Sequence, residues 1–278
     1  MLDGVMSELN TSRGSVELGH NTNKRAINEE ILDVSVVVPV YNKENIIEYF
    51  LQNLIQILNL TNLKYELIIV DDGSIDSTLM KIKSFVSNRR IKVISNKRNM
   101  GKGYALKTGF TYSRGKYVIF LDAGLDIDVM QIMRYIDALK CADIVIGSKR
   151  HSMSKVIMPF IRRFLSYGFN LLVRLFTGMR VKDTQTGLKA LRKNAVEKFI
   201  SKLVVNRYAF DVELLVVANK YGLKILEFPV NVHICGLFDP REILRMLIDL
   251  MRITYRLRVL KYYQLSGSGE NCQHTKKV

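Results

Sequence analysis

Short apolar runs alternate with longer segments of helical periodicity along the first half of the chain. "VSVVVPV" (34–40) is a β-branched run, and Glu44 to Leu60 repeats apolar residues at helical spacing. "ELIIVDD" (66–72), "IKVISN" (91–96), "KYVIFLD" (116–122) and "DIVIGS" (143–148) read as further strands, with helices predicted between them over 76–88, 103–113 and 129–140. Strands apolar on both faces and separated by helices imply a mainly parallel sheet covered on both sides, an α/β fold.

In such a sheet, ligands bind beyond the carboxyl ends of the strands. Polar residues collect there: Asn42 and Glu44 after the first run, Asp71, Asp72 and Ser74 after the second, Asp122 and Asp126 after the fourth. In "VIFLDAGLDID" (118–128) the apolar run stops at Asp122 and two more acids follow. Each cluster has a plain structural reading, because Asp, Ser and Asn cap helices, and Asp76 is read as a cap. Three clusters on one edge favour a metal or phosphate site. "PVYNKEN" contains no glycine, which excludes the dinucleotide fingerprint, and no GxxxxGK[ST] loop occurs. "NMGKGYALKTG" (99–109) is glycine-rich and basic and opens a helix; it suits a phosphate, or else is a flexible turn before an ordinary helix.

The second half is less regular. "KVIMPFIRRFLSYGFNLLVRLFTG" (155–178) and "REILRMLIDLMRITYRLRVLKYY" (241–263) place arginines beside broad apolar faces. Such helices lie in a membrane interface, or pack on a core with a solvated charged face. Charge sharpens the contrast. Of the net +16, residues 1–148 carry 18 Lys+Arg against 17 Asp+Glu, and residues 149–261 carry 22 against 8. The positive field of the second half suits an anionic membrane or a phosphorylated substrate. Nucleic acid is disfavoured, because no aromatic RNA-binding motif or helix-turn-helix accompanies the charge. No stretch of 18 uncharged apolar residues occurs, so no transmembrane segment is predicted. Cys141, Cys235 and Cys272 have no metal-binding spacing, which points to a reducing compartment. Residues 1–30 lack the apolar core of a signal peptide, and they and 266–278 are expected to be disordered.

Taken in order, these motifs resemble the family 2 glycosyltransferases, which have a GT-A nucleotide-sugar-binding fold. "VVVPVYNKE" is similar to the family's opening strand and turn, "IIVDDGSIDST" to its DDGSxD motif, "NMGKGYALKTGF" to its NxGKGxAxxxG segment, and "LDAGLD" to its DxD-containing segment. "KDTQTGLKALRK" (182–193), "NRYAFDVELLVVANKYGLKILEFPVNV" (206–232) and "GSKR" (147–150) resemble the polyprenyl-phosphate branch, dolichyl-phosphate glucosyltransferases more than mannosyltransferases. The resemblance implies a GT-A domain over 31–235, with a nucleotide-sugar half (31–148) and an acceptor half (149–235), followed by a membrane-interface helix (236–265).

It further implies inverting transfer of a hexose from a nucleotide-diphosphate sugar, UDP-glucose or GDP-mannose with glucose favoured, to a polyprenyl or dolichyl phosphate. The reaction would take place at an anionic membrane surface, by a peripheral enzyme on the cytoplasmic face. Pro39, Tyr41, Asn42 and Glu44 would line the nucleotide pocket, and Asp71 would hold the base near Asp72 and Ser74. Gly101, Lys102 and Gly103 would approach the donor. Asp122 would anchor the donor sugar and, with Asp126, a Mg2+ or Mn2+ ion. Asp183 and Gln185 would face the reacting sugar, Arg150 or Lys149 would meet the acceptor phosphate, and Arg207, Asp211 and Glu213 would shape the acceptor side. An ion pair with Arg207 is the plain alternative for Glu213. The chain departs from the family at Gly124, where the second DxD acid is expected, and mildly at Leu188, where relatives often have Phe. Other readings are a soluble glycan or protein acceptor, and a regulatory pseudo-transferase motivated by Gly124.

Overall fold

The first apolar run forms strand β1 (Val34–Val40), and helix α1 (Ile47–Asn59) follows it. In this computed structural model, residues 31–234 and 239–264 are described; the segments expected to be disordered, 1–30 and 266–278, lie outside them, as do Cys235 and Cys272. Next come β2 (Tyr65–Asp71), α2 (Thr78–Lys83), β3 (Ile91–Ser95), α3 (Lys102–Tyr112), β4 (Tyr117–Leu121), a 3-10 turn leading into α4 (Ile132–Ala138), and β5 (Ile144–Ser148). These elements fall where the periodicity predicts them. The exception in length is α2, which stops at Lys83 although helical spacing runs on to Asn88.

The second half adds β6 (Lys155–Ile157), α5 (Phe160–Thr177), β7 (Leu188–Arg192), α6 (Lys193–Val196), α7 (Phe210–Lys220), β8 (Ile225–Pro229), β9 (Asn231–His233) and α8 (Pro240–Arg258). The seven-stranded sheet runs β3-β2-β1-β4-β7-β5-β8, and β6 pairs with β9 in a small second sheet. Strand β7 is antiparallel to both its neighbours, and the other pairings in the large sheet are parallel. The reversal has a consequence for the site. It brings the loop before β7, residues 183–187, to the same edge as the carboxyl ends of β1, β2, β4 and β5.

Both sheet faces are covered, as the apolar strands require. One face packs against α1 and α4, through residues such as Leu51, Leu54 and Tyr135; the other packs against α3 and α7, through Phe110 and Phe210. Helix α8 belongs to this second core: Met246, Leu250 and Ile253 are buried in it, and the helix packs on α5. No helix among the described residues is long and apolar enough to cross a membrane.

Candidate active site

A cleft of about 630 Å³ opens at the carboxyl edge of the sheet. Pro39, Tyr41, Asp72, Gly101, Lys102, Asp122, Asp126, Lys149, Gln185 and Arg207, all singled out by sequence, line it. A second hollow of about 550 Å³, beside α1 and bordered by Gln52, Ile55 and Phe85, has no charged side chain in its lining. Convergent chemistry therefore belongs to the first.

On the nucleotide side the polar residues fasten loops. Register puts Val40 beside Asp71, so the loops after β1 and β2 run together. Asn42 adopts φ 49°, which Asn tolerates. Its N–H donates to Ser74 Oγ at 3.0 Å, and its Oδ1 accepts from Ile75 N–H at 3.0 Å. Glu44 accepts from Ser77 N–H at 3.0 Å, and Asp76 accepts from Thr78 N–H at 3.0 Å, although the N-cap of α2 is Ser77 and not Asp76 as the sequence suggests. Asp71 is fully buried and takes Ser95 Oγ–H at 3.1 Å. Asp72 accepts from Asn96 Nδ2 at 2.8 Å, Met100 N–H at 3.0 Å and Gly101 N–H at 2.7 Å, which fixes the glycine-rich turn. Gly101 has φ 103°, and a Cβ there would lie 2.4 Å from Asn206 O. A Cβ at Gly103 would lie 2.4 Å from Phe210 Cβ. Both glycines thus admit the segment entering α7.

On the reacting side the acids hold lysines. Lys102 Nζ sits 2.8 Å from Asp122 Oδ1 and 3.5 Å from Asp211 Oδ2, and Lys189 Nζ sits 3.0 Å from Asp211 Oδ1. Burial pulls the Lys102 ammonium down, but the Asp122 and Asp211 charges outweigh it and leave the pKa above the ordinary lysine value. Burial dominates for Lys189, which is lowered. For Asp211, burial is outweighed by the two lysines, and the carboxyl is held below its usual range. Lys189 was not foreseen. Its one sequence signal is a lysine inside the apolar run "GLKALR".

A second pair lies alongside. Buried Asp183 meets Lys149 Nζ at 2.8 Å and Lys149 N–H at 2.8 Å. These contacts outweigh its burial and hold its pKa down. Lys149 also donates to Thr186 Oγ1 at 3.1 Å, so it anchors the 183–187 loop that carries Gln185 into the cleft. Asp122 rests on that loop too: its N–H donates to Gly187 O at 2.9 Å, and a Cβ on Gly187 would strike its carboxylate at 2.2 Å.

Of the expected site residues, Asn42, Glu44, Asp71, Ser74, Gly103, Asp183 and Asp211 are absent from the cleft lining, and so are Arg150 and Glu213. Arg150 donates to Lys182 O and to Ser166 O and stacks on Tyr167 at 4.3 Å. The neighbouring Lys149 takes the inward place. Glu213 is fully buried beneath α8, where it accepts from Val204 and Val205 N–H, Tyr263 Oη–H and Arg256 Nη2. It pairs with Arg256 rather than Arg207, because two positions along a helix turn a side chain from Asp211's face to the opposite one. Arg207 instead lies 3.8 Å from Glu242. Lys43, Arg162, Asp239 and Glu242 are cleft residues that the motifs did not mark.

Asp122 and Asp126 both line the cleft, Asp122 with its two oxygens 2.8 and 2.9 Å from Lys102 Nζ, and no group of three or more metal-ligating side chains exists among the described residues. Burial raises the Asp126 carboxyl, opposed by Arg162 and Lys43 and reinforced by the charge of Asp122. A Cβ built on Gly124 has its nearest contacts at 3.8–4.0 Å, among them the Asp126 carboxylate, so the absent acid leaves open space there. Two carboxylates fit a hard cation shared with diphosphate oxygens and water, and not an all-protein cage.

Residues 35–200 match the model of glycosyl transferase family 2. A dolichyl-phosphate beta-glucosyltransferase of Dictyostelium discoideum is 34% identical over 242 residues, which span 80% of this chain and 74% of the relative. One from Saccharomyces cerevisiae is 32% identical over 235 residues, 77% of this chain and 70% of the relative. Among solved structures, glucosyl-3-phosphoglycerate synthase from Mycobacterium tuberculosis, in complex with Mn2+, UDP and glucosyl-3-phosphoglycerate, superposes with a TM-score of 0.60 at 19% identity, covering 81% of this chain and 79% of that one.

Proposed function

The chain belongs to glycosyl transferase family 2 and has its GT-A fold, and from that premise we propose that it transfers glucose from UDP-glucose to a dolichyl or related polyprenyl phosphate at the cytoplasmic face of a membrane. The names of the relatives support the sugar and the acceptor. One observation in the fold carries the lipid half of the reading: the cleft and two exposed apolar stripes meet on the same helices. Helix α5 gives Arg162 to the cleft and exposes Phe160, Phe164, Leu171 and Leu175 along one side. Helix α8 gives Glu242 and exposes Leu244, Ile248, Met251 and Tyr255 at helical spacing. Apolar stripes edged by arginines suit an anionic lipid interface.

The chemistry suits these side chains. A phosphate monoester has its second pKa at about 6, so the acceptor is already anionic at neutral pH and needs no strong base. Its oxygen attacks the anomeric carbon, the bond to the diphosphate breaks with inversion, and UDP leaves with the electron pair. Lys102, Lys149, Arg162 and Arg207 are the cleft cations that the diphosphate and the acceptor phosphate would meet, set among the acids Asp72, Asp122, Asp126, Asp239 and Glu242. Asp122 and Asp126 are the residues that would hold Mg2+ or Mn2+, which supplies counter-charge to the departing diphosphate. GDP-mannose is the competing donor. Purified protein, dolichyl phosphate in detergent and labelled UDP-glucose or GDP-mannose, with Mg2+, Mn2+ or EDTA, test the proposal. Lipid-extractable label from UDP-glucose, abolished by EDTA, is expected. Transfer only to water-soluble glycans would overturn the lipid acceptor.

A further inference from the structure

Glu242 stands in the first turn of α8, beyond the residues matched by the family model, in the arginine-rich stretch 241–263 but with no role assigned to it by sequence. Its side chain lines the cleft. One oxygen, Oε1, lies 2.5 Å from Arg245 Nη1 and 3.8 Å from Arg207 Nη1. The other, Oε2, is buried and meets no hydrogen-bond donor. The segment Asp239-Pro240-Arg241-Glu242 has the spacing of a capping box, in which the glutamate reaches back to the cap residue's N–H. That bond is not formed. Asp239 caps the helix by accepting from Arg241 N–H at 2.8 Å, and Glu242 turns toward the arginines. A buried acceptor without a donor is unfavourable, and since Oε2 is closed off as it stands, a donor entering the cleft reaches it when the carboxylate turns about its last bond.

The chemistry of the cleft narrows what that is. Lys43, Lys102, Lys149, Arg162 and Arg207 suit phosphates, which a carboxylate repels. The donors the reactants carry are the hexose and ribose hydroxyls and the uracil N–H, and binding of UDP alone separates the nucleotide's donors from the hexose's. We infer that Glu242 Oε2 accepts a hydrogen bond from a hydroxyl of the transferred hexose, with Arg245 and Arg207 fixing the carboxylate. Helix α8 then carries sugar discrimination as well as an apolar stripe. A site built to bond a hydroxyl strongly rejects the analogue lacking it.

This rests on the transferase reading, and the test separates the two. Affinities for UDP and UDP-glucose, and transfer from UDP-glucose and its 2-, 3-, 4- and 6-deoxy analogues, are measured for the full chain and for Glu242→Ala. The wild type is expected to disfavour one deoxy donor by about 10- to 100-fold, a factor equivalent to one lost buried hydrogen bond. Glu242→Ala removes that factor and leaves UDP affinity unchanged. Equal weakening of UDP and UDP-glucose, or the same deoxy ratio in variant and wild type, overturns the assignment while glucose transfer stands. A wild type that binds neither UDP nor UDP-glucose overturns both readings. Should Glu242→Ala not fold, Glu242→Gln keeps the shape with a weaker, neutral acceptor. It must narrow the ratio at least about fivefold, and an unchanged ratio counts against the assignment.

Discussion

The two sides of the cleft use their acids differently. On the nucleotide side Asp72, Glu44 and Asn42 spend their oxygens on backbone N–H groups and so hold loops in place. On the reacting side Asp122, Asp211 and Asp183 face lysines. A backbone-bound acid shapes a pocket. A lysine-bound acid holds a charge that exchanges partners when a phosphate or cation arrives, because an ammonium has no fixed bonding direction. Lys102 illustrates this, with Asp122 on one side and Asp211 on the other.

The contrast breaks most severely at Asp211. Asp211→Ala leaves Lys102 without its deeper partner and Lys189 charged and buried. Loss of one member of a buried ion pair typically costs about 3–5 kcal/mol, so a large fall in Tm by calorimetry is expected, with loss of activity. A stable Asp211→Ala protein would mean that the lysine network is not structural. Asp122 is the complementary case, because its side chain is 44% exposed. Asp122→Asn should keep Tm nearly unchanged and lower kcat/KM by about 10²–10³-fold, the range for removal of one preorganised electrostatic group. Asp72→Ala lies between: it frees Met100 and Gly101 N–H, for about 1–3 kcal/mol of stability, and raises the donor KM more than it lowers kcat.

Acid separates the sides further. The Asp183 and Asp211 carboxyls are lowered from their ordinary value of 3.8. The unfolded chain therefore binds protons first, and stability rises with pH in that window. Their contribution is complete above the unfolded value and is lost as pH falls from about 3.8 through the folded values. Denaturant titrations between pH 6 and pH 3 should show a shallower acid decline for Asp183→Asn than for the wild type, and equal slopes would remove Asp183 from the stability balance.

The same division explains what could be read from the chain. Strands β1, β2, β4 and β5 are apolar runs that end in polar residues, so both their existence and the edge they point to are legible. Strand β7 is not, because Lys189 sits at its second position, and the buried Asp211 together with Thr186 O, 2.6 Å from Nζ, makes that place tolerable. The four-member network joins α3, the end of β4, β7 and α7, and no spacing in the sequence announces such a meeting. Helix α7 hid its own geometry. Residues 210–218 are buried throughout, so no amphipathic face tells Asp211, beside Lys102, from Glu213, beneath α8. Lys149 and Arg150 were interchangeable by sequence, and only the packing of α5 draws the arginine away.

The smallest expected effect tests the family's missing acid. Gly124 has no contact closer than 3.8 Å at its Cβ position, and its φ lies outside the left-handed region, so Gly124→Asp fits without strain. The new carboxylate would stand next to Asp126 and add a third protein oxygen to Asp122 and Asp126. More anionic ligands tighten a hard-cation site. Mn2+ binding without donor, followed by electron paramagnetic resonance, should strengthen by about tenfold, equivalent to ~1.4 kcal/mol. Glucose transfer should saturate at correspondingly lower Mn2+, with little change in Tm. An unchanged Mn2+ affinity would remove Asp122 and Asp126 as the cation's holders and leave Lys102 as the counter-charge nearest Asp122, which would turn the reacting side into a lysine device rather than a metal one.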